Sequence, residues 1–248
     1  MPDPLPAITQ RPSPNFGPRK TVAGLPSIAF VVLHYTGMKT PENALARLAD
    51  PTAQVSAHYV IDDEGRIYRM VAEEHRAWHA GVSYWKGVRD LNSVSIGIEI
   101  TNPGHDYGYR DFPGAQMASV TALCRDILAR HRLPAAAVIG HSDIAPGRKI
   151  DPGELFPWQS LAAQKVGFWP SLSGTKHLIS TDDAMKLLSA IGYATPLSVE
   201  RGADILAAPA DCIAAFQRHY RPRKIDGLLD SETSALIQTL AEQVATTS

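Results

Sequence analysis

The chain has 248 residues, enough for one large domain or two. A hydrophobic content of 44% with 20% charged residues describes an ordinary globular protein and excludes a disordered or fibrous one. The net charge of −1 leaves no general basic field for nucleic acid or an anionic membrane, and no apolar run approaches the roughly 18 residues that a membrane-spanning helix needs.

The first ~25 residues, rich in Pro and polar groups, read as an extended arm on the domain surface. They lack the hydrophobic stretch of a signal peptide, so a cytoplasmic location is expected. "IAFVVLHYTG" is then an apolar run of β-branched and aromatic residues closed by Gly37, the pattern of a buried central strand with His34 near its C-terminal end. "PENALARLADP" predicts a short helix between Pro41 and Pro51. "SAHYVIDDEGRIYRMV" predicts a hairpin turning from Asp62 to Gly65. In "SVSIGIEI", Val94, Ile96, Ile98 and Ile100 share one face of a strand while Ser93, Ser95, Gly97 and Glu99 share the other, which points Glu99 away from the apolar side. From Gly114 to His131, Met117, Val120, Leu123, Ile127 and Leu128 recur at helical spacing. "AAVIG" is a short strand leading into "GHSDIAPGRKIDPG", residues 140–153, whose glycines and prolines predict an irregular loop.

After Pro170 the chain changes character. Residues 171–180 read as a polar linker, and "TDDAMKLLSAIGY", "DCIAAFQRHY" and "DSETSALIQTLAEQ" predict three short helices. Thr181 and Asp230 are the expected N-caps, and Gly192 the residue closing the first helix. Cys124 and Cys212 lie far apart in helix-like segments and read as buried small hydrophobes, with no disulfide framework or thiolate metal site.

A catalytic zinc takes three protein ligands and leaves one position for water. His34 at one strand end, His141 at the next, and Asp151 ten residues later offer such a set, with a flexible loop to bring the last two together. Taken singly, a strand-end His is usually a core or surface residue, and an Asp before Pro a turn residue.

Taken together, "VVLHYTG", "VSAHYVIDDEGRIYRMV", "RAWHAGVS", "NSVSIGIEI" and "GHSDIAPGRKIDPG" resemble, in order and approximate spacing, the zinc-dependent N-acetylmuramoyl-L-alanine amidases of the AmpD/AmiD type. The resemblance covers roughly residues 10 to 170. It implies an α/β fold, a central mixed β-sheet flanked by helices. It implies Zn2+ bound by His34, His141 and Asp151, with Glu99 and Lys149 as catalytic residues and Trp78 and His79 in the substrate groove. His58 falls in a family motif without being a ligand and reads as structural, while His75, His105, His131, His177 and His219 read as surface or packing residues. Glu99 would move the proton of the attacking water to the departing amine, and Lys149 would stabilise the oxyanion. The implied bond is the amide joining N-acetylmuramic acid, or its anhydro form, to L-alanine in peptidoglycan or a muropeptide.

The tail, about residues 178–243, resembles the peptidoglycan-binding domain of cell-wall hydrolases through "IAAFQRHY" and "KIDGLLDSETSALIQTL", although "LLDSET" departs from the usual turn. The expected organisation is a zinc amidase domain at 1–170, a linker at 171–180 and a helical peptidoglycan-binding-like domain at 181–248 that moves separately. A stabilising helical appendage is the alternative. The tail's resemblance favours the wall, so a periplasmic or cell-wall-associated location stands as the alternative to the cytoplasmic one. Two other functions share the pattern: a recognition protein that binds peptidoglycan without cutting it, which would lack a zinc ligand, and a zinc peptidase acting on stem peptides.

Overall fold

The computed structural model describes residues 5–172, 176–201 and 207–247. In chain order the elements are β1 (Ile8–Gln10), β2 (Phe16–Pro18), β3 (Phe30–Tyr35), α1 (Pro41–Ala49), β4 (Tyr59–Ile61), β5 (Ile67–Arg69), β6 (His75–Ala77), α2 (Leu91–Val94), β7 (Ser95–Ile100), α3 (Gly114–His131), β8 (Val138–Gly140), α4 (His141–Ile144), α5 (Trp158–Ala163), α6 (Thr181–Ile191), α7 (Pro209–Tyr220) and α8 (Ser231–Thr247). Among the described residues six strands form one mixed sheet in the order β1-β5-β4-β7-β3-β8, the α/β fold expected. Strands β4, β7, β3 and β8 run parallel, and β5 returns antiparallel to β4 through the hairpin. Asp62 holds that turn, its Oδ1 accepting the Arg66 amide at 2.8 Å. The N-terminal arm is extended, but it does more than lie on the surface. Its β1 adds to the sheet edge beside β5, and β2 pairs with β6 in a separate ribbon.

Hydrophobic alternation in the parallel strands buries both faces. On one, Val31, Leu33, Ile96, Ile98 and Ile100 pack with Val120, Leu123 and Ile127 of α3. Val94 leaves this row, because residues 91–94 form a helical turn and the strand starts at Ser95. On the other face, Phe30, Val32 and Ile139 join Leu188, Phe216 and Ile237 in one continuous cluster. Helices α6, α7 and α8 are therefore a layer of the fold, seated on the sheet, and not a body held off by the linker. Cys124 and Cys212 are buried and free, and burial pushes both thiols up to about 12.

Capping in the tail departs from expectation at one end. Ser180, not Thr181, caps α6, its Oγ accepting the Asp183 amide at 3.1 Å. Asp230 caps α8 by accepting the Thr233 amide at 2.9 Å. Gln217 of the "AFQ" run is a buried pin: its Oε1 accepts from the Asp226 and Gly227 amides, and its Nε2 donates to Asp226, Leu228 and Thr233. The pattern that carries the tail's resemblance thus specifies a turn from inside. Among the described residues no helix is long and apolar enough to cross a membrane.

Candidate metal centre and active site

Parallel strands end at a common edge, where open α/β sheets place their ligands. There β3 delivers His34, directly beside Glu99 on β7, and β8 ends at Gly140 to present His141. The stretch from 140 to 153 is not irregular throughout. His141–Ile144 is one helical turn, closed by Asp143 accepting the Gly140 amide at 2.8 Å, and turns then carry the chain back to Asp151. The Ser142 amide donates to the Asp151 carbonyl at 2.9 Å and fastens the two ends of the loop together.

His34, His141 and Asp151 are buried and converge. His34 Nδ1, His141 Nδ1 and Asp151 Oδ2 form a triangle with edges of 2.8, 2.9 and 3.1 Å. Three ligand atoms around a tetrahedral zinc would sit about 3.3 Å apart, close to this spacing. The surrounding hydrogen bonds decide where the protons are. Ser95 Oγ donates to Leu91 O at 2.5 Å and so accepts from His79 Nε2 at 3.3 Å. His79 Nδ1 is then the acceptor for His34 Nε2–H at 3.1 Å. His141 Nε2 donates to Ala80 O at 3.0 Å. Both Nδ1 atoms are left as lone pairs facing a carboxylate oxygen, an arrangement that calls for a cation. Burial, with the His141 imidazole beside it, pushes His34 down to about 4, and burial takes His79 well below its ordinary value. Neutral imidazoles and an ionised carboxylate are the protonation states that bind a metal.

The face of β7 opposite the apolar row builds the rest. Ser95 anchors His79, and Gly97 leaves it room, since a Cβ there would lie 2.4 Å from the ring. The Gly97 amide donates to His58 Nδ1 at 2.9 Å, which makes His58 a buried structural histidine behind the site, as expected. Glu99 comes next on that face. Burial and the nearby Asp151 raise its carboxyl well above the ordinary value, and Oε2 has no hydrogen-bond partner among the described residues. Glu99 and Lys149 line a cavity of about 420 Å³ together with Tyr35, Trp78, His141 and Asp151. Trp78 is a half-buried wall residue, its backbone N–H and carbonyl held by Ser56. His79 touches the same cavity, but its ring nitrogens are spent on His34 and Ser95.

Sequence reasoning missed four residues. Asn92 Oδ1 accepts both the His79 and Ala80 amides, at 3.0 and 2.8 Å, and fixes the segment that braces both imidazoles. Arg148, adjacent to Lys149, donates to Ala80 O at 2.8 Å. His105, read as surface or packing, lies at the cavity rim between Tyr35 and Glu154. Asp143 is buried beneath the loop. Each acts through a long-range pairing that has no local sequence signature.

Residues 24–154 match the family described as N-acetylmuramoyl-L-alanine amidase. The chain belongs to that family. It is 37% identical to the N-acetylmuramoyl-L-alanine amidase AmiD of Escherichia coli, over 91% of this chain and 86% of that protein. It is 39% identical to the 1,6-anhydro-N-acetylmuramyl-L-alanine amidase AmpD of Haemophilus influenzae, over 43% of this chain and 56% of that protein. A solved complex of the E. coli amidase AmiD with anhydro-N-acetylmuramic acid-L-Ala-D-gamma-Glu-L-Lys superposes with a TM-score of 0.76 at 36% identity, over 91% of this chain and 93% of that one. AmpDh3 from Pseudomonas aeruginosa gives 0.77 at 34% identity, over 92% and 96%. Coverage of this extent exceeds what residues 1–170 alone can supply, so the likeness to AmiD and AmpDh3 includes part of the helical layer on the second face of the sheet.

Proposed function

We propose that this family member hydrolyses the amide between the lactyl carbonyl of N-acetylmuramic acid, or of its anhydro form, and L-alanine, with zinc held by His34, His141 and Asp151. The observation that carries the reading is the triangle of ligand atoms from His34, His141 and Asp151, the last two lining one cavity with Glu99, whose Oε2 has no hydrogen-bond partner among the described residues. The AmiD complex, whose bound substrate is an anhydromuropeptide, supports that class of substrate.

When bound, zinc supplies a Lewis acid that activates water near neutral pH and polarises a carbonyl. Glu99, kept short of hydrogen-bond partners and desolvated, has a high affinity for a proton; it takes one from the attacking water and returns it to the L-alanine nitrogen as the C–N bond breaks. The Lys149 ammonium, on the cavity wall, faces the negative charge that develops on the carbonyl oxygen. His79 and Ala80 keep the two imidazoles oriented, and the Trp78 ring supplies an apolar wall for the substrate. The atoms balance: water adds OH to the lactyl acyl carbon and H to the amine.

Mass spectrometry of products from an anhydromuropeptide and from intact sacculi tests this reading. Release of a peptide with a free L-alanine amino group, and of the sugar with a free lactyl carboxylate, is expected. Cleavage inside the stem peptide would establish a peptidase, and binding without cleavage a recognition protein. Metal analysis of Asp151→Ala should show loss of zinc together with activity, and full zinc occupancy in that variant removes Asp151 from the ligand set.

A further inference from the structure

The tail reaches the metal-binding loop through a buried polar cluster. Asp143, two residues past His141 on α4, places Oδ1 2.6 Å from the Tyr193 hydroxyl and Oδ2 2.7 Å from His219 Nδ1, both of which donate to it. Tyr193 follows α6, and His219 lies on α7. All three side chains are at most 2% exposed. The same Oδ2 accepts the Gly140 amide and so closes the helical turn that presents His141.

The cluster grips the loop at both ends. The His219 ring stacks on Trp158, the first residue of α5, with centroids 3.8 Å apart and planes 20° from parallel. Trp158 also lies against Gly140, where a Cβ would meet its ring at 3.2 Å. One histidine of the tail therefore touches Asp143 within the loop and Trp158 after Asp151, and it reaches Gly140, before His141, through the Trp158 ring. In the middle of the loop, Gly147 approaches Asp211 of α7 so closely that a Cβ would lie 2.9 Å from the carboxylate. Tyr193 in turn packs edge-on against Trp85, and the Lys86 amide donates to the Gly192 carbonyl at 2.9 Å, which braces the chain that follows His79 and Ala80.

We infer that Tyr193 and His219 are positioning residues for the metal centre: through Asp143 they hold the turn carrying His141, so that the helical tail completes the geometry of the active site from behind. The inference rests on the reading of His141 as a metal ligand. It follows from how buried polar groups behave. A buried Asp whose donors are lost must find others or move, and here the first available movement is that of the turn it closes. Residues supporting a ligand from outside its coordination shell typically contribute 10- to 100-fold to metal affinity or activity, and one step further out the lower end of that range is expected.

The test measures zinc affinity by competition with a chelator, alongside kcat and KM on an anhydromuropeptide and the melting temperature, for the full chain. Tyr193→Phe removes one hydroxyl and keeps the ring. His219→Leu removes the donor, whereas His219→Asn can place an amide N–H where Nδ1–H sits. Zinc affinity and kcat should each fall about tenfold in Tyr193→Phe and His219→Leu, KM should hold, and His219→Asn should recover most of the loss. A merely structural role would lower the melting temperature and leave zinc affinity and kcat of the folded protein within twofold of the parent, which overturns the inference. If His219→Leu does not fold, Tyr193→Phe decides by the same criteria. His141→Ala is the control: zinc retained there at the parent's affinity sinks the metal reading itself, and the inference with it, whereas zinc lost there but kept in the tail variants sinks the inference alone.

Discussion

Glu99 and Lys149 share a cavity wall but differ in what their substitution should do. Glu99→Gln keeps size and polarity and cannot accept a proton, so bound zinc should persist while turnover falls by roughly two to four orders of magnitude. Lys149→Ala should also keep its metal, and lose about 10²- to 10³-fold in kcat, the scale of one oxyanion donor. Parallel metal analysis and kinetics check both, and near-normal turnover in either variant removes the role assigned to that residue. Glu99 was legible from sequence because strand alternation put it on the polar face of "SVSIGIEI" and the family pattern matched its position. That its Oε2 meets no hydrogen-bond partner among the described residues was not legible, since that depends on what the neighbouring elements offer.

At the scale of the element, β7 works as a ruler. Ser95, Gly97 and Glu99 rise along one face and respectively anchor His79, make room for it, and enter the cavity. Gly97→Ala would drive a methyl group to within 2.4 Å of the His79 ring, so the ring must shift and release His34 Nε2. Zinc affinity should fall more than overall stability does, as read by chelator competition against thermal melting. Asn92→Leu leaves two buried amides without an acceptor, at a cost of about 1–3 kcal/mol each. A different element pair governs acid stability. Glu73, after β5, accepts from Tyr59, Arg130 and His131 and ties β4 to α3. Burial raises its carboxyl, but those donors outweigh burial and hold it down to about 2. A depressed carboxyl contributes stability above its ordinary value of 4.5 that is lost as pH falls from there toward 2. Chemical denaturation of Glu73→Gln across that range should show a shallower acid loss than the parent, and an unchanged slope would falsify the assignment.

Across the whole molecule, the helical tail shares its core with the sheet. Deleting residues 171–248 would uncover Phe30, Val32 and Ile139 on the sheet and remove the donors of Asp143. The truncated chain is therefore expected to lose solubility and to lose activity on both a soluble muropeptide and intact sacculi. Loss on sacculi alone would instead make the tail a tether that only raises local concentration at the wall. Phe216→Ala, at a fully buried position in the shared cluster, should cost about 3–5 kcal/mol by denaturant titration. The division at 171–180 stays a proposal about sequence units, and whether the tail also binds wall polymer is read from a pull-down with purified sacculi.

By itself the sequence determined the individual strands, the hairpin, α1, α3, the three tail helices and the candidate ligands, because each depends on local periodicity, turn chemistry or a motif of fixed spacing. His34, His141 and Asp151 could be named together only because their motifs recur as a set. Tertiary structure decided what spacing does not encode. It put Gly97 under His79, set Asn92 across two amides, and turned His219 from a packing residue into a partner of Asp143. It also seated the tail on the sheet: a polar linker with three amphipathic helices fits a separate domain or a bonded layer equally well, and the choice lies in which apolar faces find each other. Helical and strand patterns say which side chains are buried. What they are buried against is set by contacts tens of residues apart, and these fix the protons, the ligand geometry and the walls of the site.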